Sequence, residues 1–289
     1  MKINIRNLYN FLDEHIVGQD RVKRVVCSWI YAHFAGCQPS PLLLAGPTAS
    51  GKTEIWRLLS LKLPQIRIFD ASAITAEGWK GHLKVSDIVS QVSDIEQPII
   101  VFDEFDKLVR PQISVNEMNY SHLIQSQLLR LFDRDQIQFN TSEIEPSVFD
   151  ARFASIAMTG AFAYLPGKQA EKPMGFCVEP AVPDITPEKL GTRDLINAGM
   201  MPELAGRLGQ IMVMTPPSEE DMIRIVDIMR ANVSRRFHTR IVLPQSECLS
   251  LVEACKASGL GARFIRTRLE ALALDMIWER SRNKEELPE

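Results

Sequence analysis

The chain has 289 residues, of which 45% are hydrophobic, and its formal net charge at pH 7 is −3. A chain of this length and composition can bury one substantial core and a smaller second one. Because dedicated nucleic-acid-binding proteins carry a strongly basic surface, the slightly negative charge makes nucleic acid an unlikely partner. The composition is typical of a soluble globular protein.

The cysteines and the apolar runs indicate the cellular compartment. The five cysteines are scattered, odd in number and without C-x-x-C spacing, so neither a zinc site nor a disulfide framework is indicated. Residues 1–6 contain no apolar signal core, and no apolar run approaches the length of a transmembrane helix. We therefore expect a cytoplasmic protein without a membrane partner.

The most informative segment is residues 46–53, which match the phosphate-binding pattern G-x-x-x-x-G-K-T. A short apolar run precedes this segment and a helix-forming run follows it, so an ordinary glycine-rich turn is disfavoured. Its backbone N–H groups are expected to cradle phosphate oxygens, with Lys52 on the β- and γ-phosphates and the Thr53 hydroxyl on magnesium. The predicted nucleotide-binding residues here are Gly46, Pro47, Thr48, Ala49, Ser50, Gly51, Lys52, Thr53 and Glu54.

A second acidic motif follows about fifty residues later, a separation typical of P-loop NTPases. Residues 98–102 form an apolar run, as a strand buried on both faces requires, and Asp103 and Glu104 follow it. Asp103 is expected to position magnesium, and Glu104 to act as the general base that polarises the attacking water. The two acids could instead cap a helix or a turn, but the upstream lysine and threonine favour catalysis. A carboxylate base indicates hydrolysis of ATP, with Mg²⁺ as the second cofactor.

Strand-like and helix-like segments alternate through the first part of the chain, which predicts a parallel sheet covered on both faces. Five strands are predicted, near residues 42–45, 66–70, 99–103, 153–158 and 211–214, with helices between them such as residues 121–132. Ser218 then resembles a helix N-cap with Asp221 at the third helical position. The rest is predicted to be mainly helical, with one β-like piece at residues 240–243. We expect an α/β domain over residues 1–215 and a small helical lid domain over residues 216–289.

Five separated motifs, in the right order, resemble the ClpX-like unfoldases of the AAA+ ATPase family. The resemblance runs from about residue 15 to residue 279 and rests on residues 15–19, 102–108, 159–163, 201–208 and 259–263. The resemblance implies a P-loop NTPase of the AAA+ fold, with a five-stranded parallel sheet and a helical lid. It also implies that Ile16 and Val17 supply apolar contact to adenine.

The resemblance gives roles to three further residues. Arg207 lies where the family carries its arginine finger, which reaches the γ-phosphate in a neighbouring subunit and stabilises the charge of the transition state. Arg263 corresponds to the second sensor, which couples the nucleotide to the lid. Thr159 corresponds to the first sensor, although a threonine at a strand end often has only a structural role. Catalysis in trans implies a homo-oligomeric ring, a hexamer in this family.

The resemblance places the pore loop at Gly78, Trp79, Lys80 and Gly81. Glycines would let the loop move, and the aromatic ring would grip a passing polypeptide by apolar contact. The family has an apolar residue where this chain has Lys80, a departure that would change which peptides are gripped. Trp79 could alternatively be a buried packing residue. Residues 110–119 are a candidate for a second pore loop.

Met174, Gly175 and Phe176 resemble the tripeptide with which the family docks onto the ClpP peptidase ring. The surrounding loop is shorter than in the family by about fifteen residues, which at about 3.3 Å per residue reduces its reach. A purely structural loop is therefore favoured over docking. The family's N-terminal zinc-binding domain has no counterpart in this sequence, so we expect substrate choice to depend on the pore, another surface or a separate protein.

These observations predict an ATP-driven, ring-forming remodeller or unfoldase that threads protein substrates. One alternative is a DNA-directed AAA+ ATPase such as a helicase loader or initiator, supported by the basic residues within 234–240. The other is a nucleotide-switched assembly scaffold. The set of Asp103, Glu104, Arg207 and Arg263 argues against a scaffold, because a scaffold needs to bind nucleotide but not to hydrolyse it.

Overall fold

The computed structural model describes residues 3–77, 83–113, 119–139, 147–162 and 190–282. The chain forms two compact units. The first contains the described parts of ranges 1–12, 21–47 and 52–215, and the second contains those of 13–20, 48–51 and 216–289.

Helices and strands alternate along residues 1–215, most of which belong to the first unit. The helices are α1 (Ile5–His15), α2 (Asp20–Phe34), α3 (Lys52–Lys62), α4 (Val85–Val92), α5 (Phe105–Val109), α6 (Tyr120–Phe132), α7 (Thr192–Asn197) and α8 (Pro202–Ala205). The strands are β1 (Leu42–Ala45), β2 (Ile66–Asp70), β3 (Ile99–Asp103), β4 (Gln136–Phe139), β5 (Ser147–Asp150), β6 (Ser155–Gly160) and β7 (Gln210–Val213).

Five of these strands form one parallel sheet in the order β2-β3-β6-β1-β7. This arrangement confirms the predicted five-stranded parallel sheet flanked by helices. The four residues of β1 and the first four of β3 are buried, which explains why these sequences are continuous apolar runs rather than alternating ones. The strand order brings the carboxyl ends of β3, β6 and β1 side by side.

One strand begins later than the sequence pattern predicts. The expected range was 153–158, whereas β6 spans Ser155–Gly160. Residues Ala151–Phe153 instead form a 3₁₀ turn, because the Asp150 side chain accepts a hydrogen bond from the backbone N–H of Arg152. A local side-chain cap thus competes with extension of the strand.

Strands β4 and β5 form a separate antiparallel pair that the sequence analysis did not predict. Ile137 and Phe139 are buried while the intervening Gln138 is exposed, so β4 has the alternation of a half-buried strand. Four residues are too few for this alternation to be distinctive in the sequence.

The second unit has a core of its own, formed by α9 (Glu219–Arg236), α10 (Gln245–Ser258) and α11 (Ala262–Arg282). Ser218 caps α9 as predicted: its Oγ accepts from Asp221 N at 3.1 Å, and Asp221 Oδ2 accepts from Ser218 N at 3.4 Å. Val226, Val252 and Leu269 contribute side chains that are almost fully buried. No helix among the described residues is both long and apolar enough to cross a membrane.

The predicted β-like piece at residues 240–243 is wrong, because this segment is an irregular connection between α9 and α10. Ile241 is 2% exposed, so its apolar character reflects burial rather than strand pairing. Its backbone N–H donates to Ser234 Oγ at 3.2 Å, and its carbonyl accepts from Arg230 Nη1 at 3.3 Å. Side chains therefore take the place of a neighbouring strand in satisfying this backbone.

Candidate nucleotide-binding site

The candidate phosphate loop leaves the carboxyl end of β1 through Gly46, whose φ is +149°. A Cβ atom at this position would lie 2.6 Å from the carbonyl oxygen of Met214, so only glycine fits here without a shift of backbone. The Gly46 N–H donates to Gly160 O at 3.2 Å, and Met214 N donates to Ala45 O at 2.7 Å. The start of the loop is thus fixed between the ends of β6 and β7.

Lys52 is the first residue of α3 and is only 8% exposed. Its Nζ donates to Gly46 O and to Pro47 O, both at 2.7 Å. The ammonium group therefore folds back over the beginning of the loop. This position, at the N-terminus of a helix, is suited to anionic phosphate oxygens.

Asp103, the last residue of β3, gathers three hydrogen bonds on Oδ1. Thr53 Oγ1 donates to it at 3.0 Å, Glu104 N donates at 3.0 Å, and the Thr159 hydroxyl also donates to it. Thr159 is fully buried in β6, so its hydroxyl is fixed in direction. The structure thereby brings together residues predicted separately on α3, β3 and β6.

The donor set around Asp103 fits a magnesium ion. Mg²⁺ is a hard cation that prefers oxygen ligands and commonly takes one or two carboxylates together with substrate phosphates. Thr53 supplies a hydroxyl oxygen and Asp103 a carboxylate, 3.0 Å apart and next to the phosphate loop. These are the two residues that would hold the ion.

Glu104 follows directly and has a left-handed backbone, with φ 56° and ψ 33°. Such a conformation is unfavourable for a residue with a side chain and is enriched at functional positions. Its Oε2 lies 2.5 Å from the Nζ of Lys107, which is three residues further along. The hydrogen bond to Glu104 raises the pKa of Lys107 above its ordinary value.

The second unit contains the other predicted nucleotide contacts. Ile16 and Val17 are buried, with exposures of 7% and 9%. Gly261 has a φ of +56°, and a Cβ there would lie 2.4 Å from Ala49 Cβ of the phosphate loop. Arg263 is exposed on the first turn of α11, two residues after this close approach.

Arg207 lies just beyond α8, against the C-terminal end of α6. Its Nη2 donates to Asp133 Oδ2 at 2.8 Å, its Nε also donates to the Asp133 carboxylate, and its Nη1 donates to Glu203 O. The Asp133 carboxylate raises the pKa of Arg207 further above its already high ordinary value. Sequence reasoning missed Asp133, since 74 residues separate the pair and no local pattern connects them.

The remaining predicted site residues lie in or just before α3, or outside the described residues. Glu54 is exposed to the extent of 37% and pairs with Arg57 at 3.4 Å on the surface of α3. Ser50 is buried. The pore-loop residues Gly78, Trp79, Lys80 and Gly81 lie outside the described residues, as do Met174, Gly175 and Phe176.

Comparison with known proteins agrees with this geometry. Residues 42–168 match the model of the AAA family, described as ATPases associated with various cellular activities. The chain carries an AAA ATPase domain. The matched AAA segment includes the phosphate loop, Asp103, Glu104 and Thr159.

Two relatives extend the similarity beyond that domain. One is the ClpX ATP-binding subunit of the ATP-dependent Clp protease of Treponema denticola, 24% identical over 95% of this chain and 76% of the relative. The other is the corresponding ClpX 2 of Wolinella succinogenes, 24% identical over 95% of this chain and 77% of the relative. The chain is thus similar to ClpX over nearly all of its length, and its AAA domain indicates an ATPase.

Proposed function

We propose that this ClpX-like ATPase is a ring-forming remodeller or unfoldase of proteins, driven by ATP hydrolysis. The observation that carries the proposal is the convergence of Thr53, Glu104 and Thr159 on Asp103 beside the phosphate loop. Similarity to ClpX over 95% of the chain supports the choice of a protein substrate.

In this proposal the chain's own residues divide the work of hydrolysis. The loop N–H groups and Lys52 hold the phosphates, and Thr53 with Asp103 holds the metal. A magnesium ion held there would supply positive charge that offsets the negative charge of the phosphate groups. Glu104 polarises the attacking water, and the buried Thr159 hydroxyl keeps the Asp103 carboxylate in place.

The ring follows from the role proposed for Arg207. A guanidinium that acts on the γ-phosphate of a neighbouring copy makes turnover depend on assembly. We propose a homo-oligomer with six copies, as the resemblance to ClpX-like proteins implies. Arg263 would sense the nucleotide of its own chain, since the preceding Gly261 packs on Ala49 of the phosphate loop.

We further propose that Trp79 and Lys80 contact a protein substrate in the pore. The relatives are ATP-binding subunits of a protease, so a ClpP-like peptidase is a candidate partner. Met174, Gly175 and Phe176 would form the docking tripeptide. A pull-down with ClpP under ATP tests this: binding by wild-type protein that is lost in Phe176→Ala supports docking, and no binding by wild type leaves remodelling alone.

The DNA-directed alternative is weakened by the surroundings of one of its basic residues. Arg236 Nη1 donates to Glu270 Oε1 at 3.0 Å, and its guanidinium lies 5.1 Å from the Phe237 ring centroid. One cation of the basic cluster is therefore paired at the protein surface. Pairing of this kind is expected for an ordinary solvated helix end.

The experiment that tests the proposed function compares stimulation of ATP hydrolysis by two probes. We expect casein, a largely unfolded protein, to raise the ATPase rate, and single-stranded or duplex DNA to leave it unchanged. Stimulation by DNA and not by casein would overturn the proposal. In either case, Glu104→Gln should trap bound substrates, and the proteins or nucleic acids that copurify with it would identify what the protein acts on.

A further inference from the structure

Arg207 is paired with Asp133, a residue to which the proposed mechanism assigns no role. Asp133 is the C-cap residue of α6, and its carboxylate accepts from both Nε and Nη2 of Arg207. This side-on arrangement engages one edge of the guanidinium and fixes the plane of the group. The side chains are 32% and 37% exposed, so the pair is at the surface but not fully solvated.

The residue after Asp133 anchors the turn that carries it. Arg134 has a φ of +61° and directs its guanidinium to the segment before β1. It donates to Gln38 O at 2.7 Å, to Gln38 Oε1 at 2.9 Å and to Pro39 O at 2.8 Å. The carboxylate of Asp133 therefore projects from a turn that is tied to the base of the sheet.

The segment that carries Arg207 is anchored on the same stretch of chain. Two residues after Arg207, Gly209 N donates to Pro41 O at 2.9 Å. The two partners of the ion pair are thus each attached to neighbouring residues of the 38–41 segment. The ion pair connects these two anchored segments. Arg207 is therefore held at its backbone by the segment and at its guanidinium by Asp133.

The hydrogen bonds leave part of the guanidinium for another partner. An arginine has five N–H groups. Within the described residues, Asp133 and Glu203 O take three of them, which leaves one N–H on each terminal nitrogen. A guanidinium held in this way has lost much of its rotamer freedom before it meets a phosphate, so less entropy is lost on contact.

We propose that Asp133 is the positioning residue of the arginine finger, which holds Arg207 in the orientation that acts on the nucleotide of a neighbouring copy. The inference rests on the proposed role of Arg207 in trans. It requires that Asp133 contribute only through Arg207 and from the same subunit as Arg207.

The first experiment measures ATP turnover and ATP affinity of Asp133→Asn, which keeps the size of the side chain and the backbone cap. Loss of a hydrogen bond to a charged group predicts a fall in kcat of about tenfold or more, with unchanged affinity for ATP. Asp133→Glu should recover part of the rate. Asp150→Asn is the matched control, because Asp150 forms a similar two-oxygen pair with Arg152, at 2.5 and 2.9 Å, and should keep wild-type turnover.

The second experiment mixes subunits. Lys52→Ala subunits carry a sound finger and should restore activity to Asp133→Asn subunits, whereas Arg207→Ala subunits should not, because both defects lie on the finger side of an interface. The double variant Asp133→Asn with Arg207→Ala should turn over no more slowly than Arg207→Ala alone.

The outcomes separate the two ideas. If Arg207→Ala is not restored by Lys52→Ala subunits in verified rings, the finger role itself fails. If Arg207→Ala is restored, the finger role stands. The role of Asp133 is then overturned by any of three results: wild-type or faster turnover of Asp133→Asn, weaker ATP binding by Asp133→Asn, or a double variant that is slower than Arg207→Ala.

Discussion

The Nζ of Lys107 lies 2.5 Å from Oε2 of Glu104, which is the first residue after β3 and has a left-handed backbone. Both the backbone conformation and the ion pair orient the Glu104 carboxylate. The backbone sets the direction of the Cα–Cβ bond, and the Lys107 ammonium fixes the position of the carboxylate. Both residues are about half exposed, so the pair contributes mainly orientation rather than stability.

Replacement of Glu104 by glutamine should separate ATP binding from hydrolysis. The phosphate loop, Thr53 and Asp103 are unchanged, so we expect ATP to bind, but loss of the base should slow turnover by at least about a hundredfold. Single-turnover kinetics and equilibrium binding measure the two properties separately. Asp227→Asn is a suitable control, because that carboxylate also pairs with a cation three residues away, in the second unit. Near-normal turnover of Glu104→Gln would exclude this residue as the base.

Lys52→Ala should have the opposite profile and lose nucleotide binding itself. Lys52 is 8% exposed and its ammonium lies over the start of the loop, so its loss removes a positive charge next to the expected phosphate site. Binding of a fluorescent ATP analogue measures the loss directly. If affinity were preserved and only turnover fell, Lys52 would act on the transition state alone.

Arg207→Ala should lower ATP turnover severely, to a small residual rate, while leaving each subunit's affinity for ATP intact, since the finger acts on a neighbour. An arginine finger is worth about 10³–10⁵ in rate. Mixing with Lys52→Ala subunits should recover some activity, because a hybrid interface then combines a sound pocket with a sound finger. Ring assembly is verified by sedimentation before the mixture is assayed, and no recovery from intact rings would contradict the assignment.

Gly261→Ala should weaken ATP binding. The new Cβ would lie 2.4 Å from Ala49 Cβ, so the phosphate loop or the start of α11 would have to move. Gly259→Ala is the matched control: its φ is also positive, at +65°, but a Cβ there has nothing within 4 Å. Both variants carry the backbone strain, and only the first carries the collision. Equal ATP affinities in the two variants would mean that the contact with Ala49 does not support the loop.

Stability should depend on pH through His33. Its ring nitrogens contact Ser155 Oγ at 2.8 Å and Gln97 O at 2.9 Å, and burial lowers its pKa below the ordinary value of 6.5. The folded protein therefore favours the neutral ring. The corresponding stability is present above about pH 6.5 and is lost as the pH falls below the unfolded pKa towards the folded one.

Denaturant unfolding followed by tryptophan fluorescence between pH 5 and pH 8 measures this effect, because Trp29 stacks on His33. In His33→Gln the pH dependence should be smaller than in wild type. His122→Gln, on the exposed face of α6, serves as the control and should keep the wild-type profile. An unchanged profile in His33→Gln would assign the pH dependence to other groups.

The sequence was most informative where local pattern and burial coincide. The first three strands of the sheet have the predicted bounds. In β1 and β3 the reason is a short apolar run buried on both faces, whereas β2 mixes buried and exposed residues. The cap at Ser218 was equally readable, since both partners lie within one turn. The strand predicted at residues 240–243 was wrong because a buried irregular segment can have the same apolar residues as a strand.

Long-range polar pairs could be predicted from the sequence only where both partners belong to a shared motif context. The contact of Thr53 with Asp103 was implied by their shared motif context, whereas that of Arg207 with Asp133 was not implied by any pattern. It depends on the end of α6 and the segment after α8 meeting in three dimensions. The boundary near residue 216 remains a prediction about domains.

Because all strands of the sheet run in the same direction, the end opposite the candidate site is suitable for attaching a label in single-molecule experiments. Asp103, Thr159 and the phosphate loop all lie at or near the carboxyl ends of their strands, so the amino ends are remote from the chemistry. Glu96 is exposed in the turn before β3, and the strand places it roughly 13 Å or more from Asp103. A cysteine introduced there would carry a dye or a surface tether without touching the nucleotide, provided that the exposed Cys37 and also Cys177, which lies outside the described residues, are first replaced.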